Sequence, residues 1–391
     1  MREVPLGEVA TASGSKAGDR IDLPVYSVTK HAGFVPSAEY FNKQVFSRDL
    51  SGYKFVQAGE FAYATIHLDE GSIGIAPVDS LISPMYTVFA TDESRVDSRY
   101  LARYLKSPRA IAEYPMLGTG SAERRKSIPF ARLKGMNIPL PSIEEQRRIT
   151  AILDNADAIR SKRREALSRV DELTQSIFVN TFGDAQTIHT RWPKAALKDI
   201  LLGIESGWSP TCHARPATDD EYGVLKLGAV TYGVFNPGQN KALPEDVEPD
   251  VRHEVKVGDL LFTRKNTANL VGAAALVRKT RTKLLMPDLV FRLRIDPRSA
   301  ITATYLQAVL MYPPIRRTIQ GLAGGSAGSM PNISKAKLLT VEVPRPAIEQ
   351  QLSYERRIDE IDRLKSGHRT ALAELDALFA SLQSRAFRGE L

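Results

Sequence analysis

Two stretches of this sequence repeat one another at a fixed distance of 205 residues. Tyr100-Leu101 matches Tyr305-Leu306, Pro108 matches Pro313, Gly120-Ser121 matches Gly325-Ser326, Ile128 matches Ile333, and Leu133 matches Leu338. The register continues with Ile143 and Gln146 against Ile348 and Gln351, Leu167 against Leu372, Leu173 against Leu378, and Phe182 against Phe387. One offset held over more than 80 residues marks a duplicated supersecondary unit. Earlier in each half the offset drifts to about 199, where Val56, Gly59 and Glu60 align with Val255, Gly258 and Asp259. Insertions and deletions therefore gather in the first part of each half.

The repeat contains a long helix. Pro141 precedes Ser142, and Glu145 follows three residues later. The Ser hydroxyl caps a free N–H of the first turn while the Glu side chain reaches back to the cap. Ile149, Leu153, Ala156, Ile159, Arg163, Leu167, Val170, Leu173 and Ile177 then recur at steps of three and four, which keeps one helical face up to Gly183. A helix of roughly 36 residues is about 54 Å long, more than a compact domain needs, so its stripe predicts a long helical partner. The repeat supplies one from about Ala347 onward, with Tyr354, Ile358, Ile361, Leu364, His368, Leu372, Leu375, Leu378 and Leu382 on its stripe. Duplicated halves fold most simply about a pseudo-two-fold axis, which makes the two helices antiparallel neighbours.

The expected fold class is α+β. It comprises a first globular domain at 1–141, a central long helix at 142–183, a second globular domain at 184–345 and a C-terminal long helix at 346–391. Short apolar runs at 25–28, 53–56, 60–66, 72–76 and 85–90 read as strands between Gly, Asp, Ser and Pro punctuation. Runs at 223–230, 259–265, 272–279 and 288–295 read the same way in the second half. Amphipathic helices at 98–108 and 302–314 are expected to stop at Pro108 and Pro313.

The chain carries a formal net charge of +8. The central helix adds nothing to it, with seven Lys/Arg and seven Asp/Glu between 142 and 182, so the excess lies in the flanking regions. A basic surplus points to nucleic acid, an anionic membrane surface or solubility alone. Cys212 is the only cysteine, which excludes an intramolecular disulfide and a Cys-based zinc site. The opening MREVPLGEV lacks the apolar run of a signal peptide, and no stretch reaches the ~18–20 apolar residues that span a bilayer. The expectation is a soluble cytoplasmic protein with no membrane partner.

Catalytic signatures are missing. There is no GxxxxGK[ST] phosphate loop, no GxGxxG after a strand and no N/D-P-P-Y/F motif. Pro287-Asp288 opens a nuclease-like pattern, but Asp296-Pro297-Arg298 lacks the lysine that would complete it. The six histidines, His31, His67, His189, His213, His253 and His368, form no HxH or HxxxH pair, so no metal site is expected.

Two Gly/Ser loops stand at equivalent places in the repeats. LGTGSAERRKS carries Ser121, Arg124, Arg125 and Lys126; its counterpart GGSAGSMPNISK carries Ser326, Ser329, Asn332, Ser334 and Lys335. Backbone N–H groups and hydroxyls in such loops hold phosphates, Arg and Lys neutralise them, and Arg and Asn read base edges. Weaker candidates are Thr65 and His67 against Arg264, Lys265 and Asn266, and Lys30 and His31 against Lys226. An ordinary solvated loop is the competing reading at each place.

Taken together, these features resemble the specificity subunit of type I restriction–modification systems. The resemblance is carried by IPLPSIEEQRRI and VPRPAIEQQLSYERRI, by the closing FVNTFGD and SRAFRGEL, by the turns GEFAY and GDLLF, and by GSAGSMPNISKAKLL. It implies that each globular domain is a target-recognition domain reading half of a bipartite site on double-stranded DNA. It implies that the helices form the spacer and dock two methyltransferase subunits and the restriction/translocase subunits. S-adenosylmethionine, ATP and Mg would sit on those partners, with no cofactor in this chain, which would catalyse nothing itself. A 54 Å spacer corresponds to roughly 16 base pairs as an upper bound. Two alternatives are a coiled-coil scaffold that bridges proteins without DNA, and the specificity part of a fused methyltransferase–nuclease.

Overall fold

The structure, a computed structural model, describes residues 1–41, 45–119, 127–324 and 330–391. The chain divides into two units, Met1–Ala166 with His368–Leu391, and Leu167–Gly367. Each unit takes one globular region and a half of each long helix.

The first unit is built on a four-stranded antiparallel sheet in the spatial order Ala10–Ser13, Tyr86–Thr91, Phe61–Ala64, Ile73–Ile75. Alternate residues face a core in which Phe61 and Phe89 stack at 4.8 Å. A two-stranded ribbon pairs Glu3–Pro5 with Asn137–Pro139 just before the central helix. The helix Ser98–Leu105 opens on an N-cap, the Asp97 carboxylate accepting from the amides of Arg99 and Tyr100. Its buried Tyr100 hydroxyl donates to the Pro139 carbonyl at 3.0 Å. Burial pushes this phenol above its ordinary range, so it stays a donor.

The second unit repeats the plan. Its sheet runs Leu201–Ser206, Val290–Ile295, Leu260–Thr263, Ala274–Leu276, and Lys194–Ala196 pairs with Glu342–Pro344. Tyr305 donates to the Pro344 carbonyl at 2.7 Å. Each unit also has a three-stranded sheet: Ser15–Lys16, Lys54–Val56 and Ser80–Ile82 in the first, and Asn240–Ala242, Gly223–Leu225 and Leu284–Leu285 in the second.

Two buried glutamines lock the strand–helix junctions. Gln146 accepts from the Asp97 amide at 2.8 Å and donates to the carbonyls of Arg95 at 3.1 Å and Pro141 at 2.9 Å. Gln351 accepts from the Thr302 amide at 2.9 Å and donates to Ala300 at 3.0 Å and Pro346 at 2.9 Å. Every partner is shifted by 205 residues, so the duplication extends to individual hydrogen bonds.

The long helices run Ile143–Phe182 and Ile348–Ala386. At 1.5 Å per residue each is about 60 Å long. In the first unit, Arg160 reaches Asp376 at 2.6 Å, so the start of one helix lies antiparallel to the end of the other. In the second unit, Lys365 reaches Asp171 at 2.7 Å, the same pair of positions under the repeat. Each helix also ends in a core. Phe387 packs 5.7 Å from Tyr100 and 5.2 Å from Tyr104, and Phe182 packs 4.7 Å from Tyr305 and 5.1 Å from Tyr354.

Within the expected stripes, Ile149, Leu153, Tyr354, Ile358 and Ile361 are buried. Ala156, Leu167, Val170, Ile177, Leu372, Leu375 and Leu382 are half-buried. Four positions depart from the expectation: Ile159, Leu173, Leu364 and Leu378 stand 53%, 49%, 58% and 51% exposed. The next residue turns inward instead, with Arg160 and Lys365 burying their alkyl stems and delivering charge to Asp376 and Asp171. Pro108 and Pro313 differ as well. Each ends one helix and occupies the first position of another, Pro108–Leu117 and Pro313–Gly321, where the missing N–H costs nothing.

Candidate nucleic-acid interface

In the second unit a strand end and a distant loop come together. After Thr263 the chain presents Arg264, Lys265 and Asn266. The Arg264 carbonyl accepts from the Ile333 amide at 2.8 Å, and Lys265 forms a β-bridge with Asn332. Arg264 Nε donates to Asn332 Oδ1 at 3.0 Å. Its guanidinium lies 5.1 Å from the Phe291 ring centre, and Lys335 Nζ lies 5.8 Å from the same ring. The aromatic face holds two cations at the surface without neutralising either, which leaves both available to an anion. Ser334 caps the following turn, its hydroxyl accepting from the Lys337 amide at 3.3 Å.

Asn266 has a different place. It is 6% exposed, donates from Nδ2 to Thr231 Oγ1 at 3.0 Å and accepts from the Thr267 amide at 2.8 Å. Its amide is used inside the protein. Lys226 is half-buried and leads into the turn Leu227–Ala229, outside the Arg264 cluster. Ser326 and Ser329 lie outside the described residues.

In the first unit the equivalent carbonyl is that of Thr65, which accepts from the Ile128 amide at 2.8 Å. The Thr65 hydroxyl donates to the Met85 carbonyl at 2.5 Å. Thr65 and His67 line an open cavity of about 330 Å³ with Tyr26, Phe41, Tyr53 and Tyr86. His67 Nδ1 stands 3.4 Å from the Glu70 carboxylate. Lys30 and His31 are exposed in the hairpin between Tyr26–Thr29 and Gly33–Pro36. Ser121, Arg124, Arg125 and Lys126 lie outside the described residues. The neck of that loop is a two-hydrogen-bond bridge between Thr119 and Ser127, repeated by Gly324 and Asn332.

Sequence reasoning missed Phe291 and Thr231 as supports of the cluster. Both come from remote segments and carry no motif; only the fold brings them to the strand end. Among the described residues no group of three or more His, Cys, Asp or Glu is placed to hold a metal ion, and no helix is long and apolar enough to cross a membrane.

Residues 4–169 match the family model described as the type I restriction modification DNA specificity domain. The chain is 32% identical over 196 residues to the Escherichia coli type I restriction enzyme EcoEI specificity subunit, spanning 48% of this chain and 33% of that protein. It is 25% identical over 321 residues to the EcoKI specificity subunit of E. coli K12, spanning 76% of this chain and 67% of that protein. The type I restriction–modification S subunit of M. genitalium has the same fold, with a TM-score of 0.54 at 14% identity over 99% of this chain and 96% of that one. In sequence over its first part and in fold, the chain is similar to type I specificity subunits. The first of these matches spans only about a third of its relative's length.

Within the chain the scaffold is duplicated while one edge is not. The Ile128–Thr65 bond recurs as Ile333–Arg264, and the loop neck recurs as well. At that edge Thr65, Ile66 and His67 face Arg264, Lys265 and Asn266 in the alignment, and Phe130 faces Lys335.

Proposed function

We propose that this chain selects a bipartite site on double-stranded DNA, each globular region reading one half-site. The observation that carries this reading is the contrast between a scaffold repeated bond for bond and an edge whose residues differ. Two modules that read different sequences need the same frame and different contacts. Phosphate contacts from Lys and Arg position such a module, and contacts to base edges specify. The paired long helices set the number of unspecified bases between the half-sites.

In this reading the helices also dock two methyltransferase subunits, which carry S-adenosylmethionine, and the restriction/translocase subunits, which use ATP and Mg. The exposed Ile159, Leu173, Leu364 and Leu378 support docking, because each is matched by another under the repeat and so suits two copies of one partner. The chain itself supplies specificity and no catalytic group.

Methylome sequencing of cells with and without the gene, expressed beside its modification partner, tests the reading. The expected result is one gene-dependent motif in two parts separated by a fixed unspecified gap. A continuous motif, or none, overturns it. Duplex binding by the complex should also fall steeply with salt, on a log–log scale, whereas a protein-bridging scaffold shows no such slope.

A further inference from the structure

The turn that Asn266 holds carries an exposed aromatic. Thr231 is 4% exposed, Tyr232 is 74% exposed, and Val234 is 61% exposed. Single exposed apolar residues are ordinary on protein surfaces. This one is mounted with unusual rigidity. Thr231 donates to the Leu227 carbonyl at 2.7 Å and accepts from Asn266 at 3.0 Å. Gly233 has φ +77°, a backbone conformation that side-chain-bearing residues rarely adopt, so the turn favours glycine. Gln307 donates to the Gly233 carbonyl at 3.0 Å. Tyr232 is therefore flanked by two residues fixed from two different elements.

One of those anchors continues directly into the cation cluster. Asn266 follows Arg264 and Lys265, and its amide donates to the Pro331 carbonyl beside Asn332. Met330, in the same loop, is 42% exposed. The surface thus places Tyr232, Val234 and Met330 on segments bonded to the one that carries Arg264 and Lys265. Cations interleaved with exposed apolar side chains suit a polyanion whose groove presents base edges and thymine methyl groups.

We infer that Tyr232 contacts a base edge in the half-site read by the second globular region, its ring meeting the groove while Arg264, Lys265 and Lys335 hold the flanking phosphates. The inference rests on the half-site reading proposed above.

The test uses the full chain assembled with its partner subunits. Wild type, Tyr232→Ala and Tyr232→Phe are compared by methylome sequencing and by binding to duplexes changed one base pair at a time. Tyr232→Ala should lose roughly 5- to 100-fold discrimination at one or two adjacent positions of one half-site, the range a single mismatch commands. Tyr232→Phe should keep it, because the ring makes the contact. The other half-site and the log–log salt slope should stay unchanged, since no phosphate contact is lost. Unchanged specificity in Tyr232→Ala overturns the inference. So does a uniform loss on all sequences, or a loss of partner assembly with DNA discrimination intact. A wild-type complex with no two-part motif overturns the half-site reading, and this inference with it.

Discussion

Arg163 donates from Nη1 to Nδ1 of His368 across 2.9 Å, and the two residues occupy the same position in the 205-residue repeat. A residue meets its own repeat equivalent only where the two helices pass each other antiparallel at that level. Arginine always donates, so His368 accepts and keeps its proton on the other ring nitrogen. His368→Arg sets two cations face to face and should lower the melting temperature, by about 0.5–1 kcal/mol of stability for a half-exposed pair. His368→Glu offers a carboxylate to Arg163 and should raise it. Opposite signs in urea or thermal unfolding are the check; equal effects of both would show that the contact contributes nothing.

Gln146 and Gln351 make a second matched pair. Both are 0% exposed, and each serves one amide and two carbonyls. Replacing either with Ala leaves those groups without partners and should cost about 2–4 kcal/mol. The two tryptophans, Trp192 and Trp208, both lie in the second unit. Gln351→Ala should therefore shift the fluorescence-monitored transition, while Gln146→Ala should shift circular dichroism and leave fluorescence nearly in place. Equal fluorescence shifts would mean that the units unfold as one.

The repeat, the long helices and most strands were legible because they rest on period and offset, which a linear sequence records. Register between helices was less so. Ile159 and Leu364 look like core residues by hydropathy, yet Arg160 and Lys365 take the seam because an aspartate on the facing helix receives each charge. The candidate interface was legible only in part. Arg264, Lys265, Asn332 and Lys335 are found together, but the role of Asn266 inside the protein, and the Phe291 ring under two cations, depend on long-range contacts that leave no local spacing.

The joint between globular region and helix uses one chemistry from two sources. Arg103 pairs with Asp154 at 2.8 Å and Asp157 at 3.0 Å in the first unit. In the second, Asp359 and Asp362 occupy those positions, but Arg278 reaches them at 2.7 Å and 3.0 Å, while Ala308 stands where Arg103 would be. Arg278→Ala should cost about 0.5–1 kcal/mol at low salt and less at 1 M salt, as expected for partly exposed pairs. Adding Ala308→Arg should restore most of that loss. Failure of the rescue would show that the aspartates accept an arginine from only one direction.

The exposed apolar positions Ile159 and Leu378 lie in one unit, and Leu173 and Leu364 in the other. Charged replacements there should leave folding intact, because the side chains already face solvent. On the proposed docking of two methyltransferase copies, Ile159→Lys with Leu378→Lys should remove one of them, measured as the mass of the complex by light scattering. Leu173→Lys with Leu364→Lys should do the same, and all four together should leave the chain without that partner. A full-mass complex from the fourfold variant would exclude this face as the docking surface.

Helix length carries the last prediction. Deleting residues 160–166 and 365–371 removes one heptad at equivalent places and keeps the seam in phase, since seven residues make nearly two turns. Each helix then shortens by about 10 Å, or about three base pairs at 3.4 Å each. The gap in the recognised motif should contract by that amount while the bases of both half-sites stay the same, as read by methylome sequencing. An unchanged gap would mean that the helices do not set the distance. Altered half-sites would mean that the globular regions depend on the spacer for which bases they read.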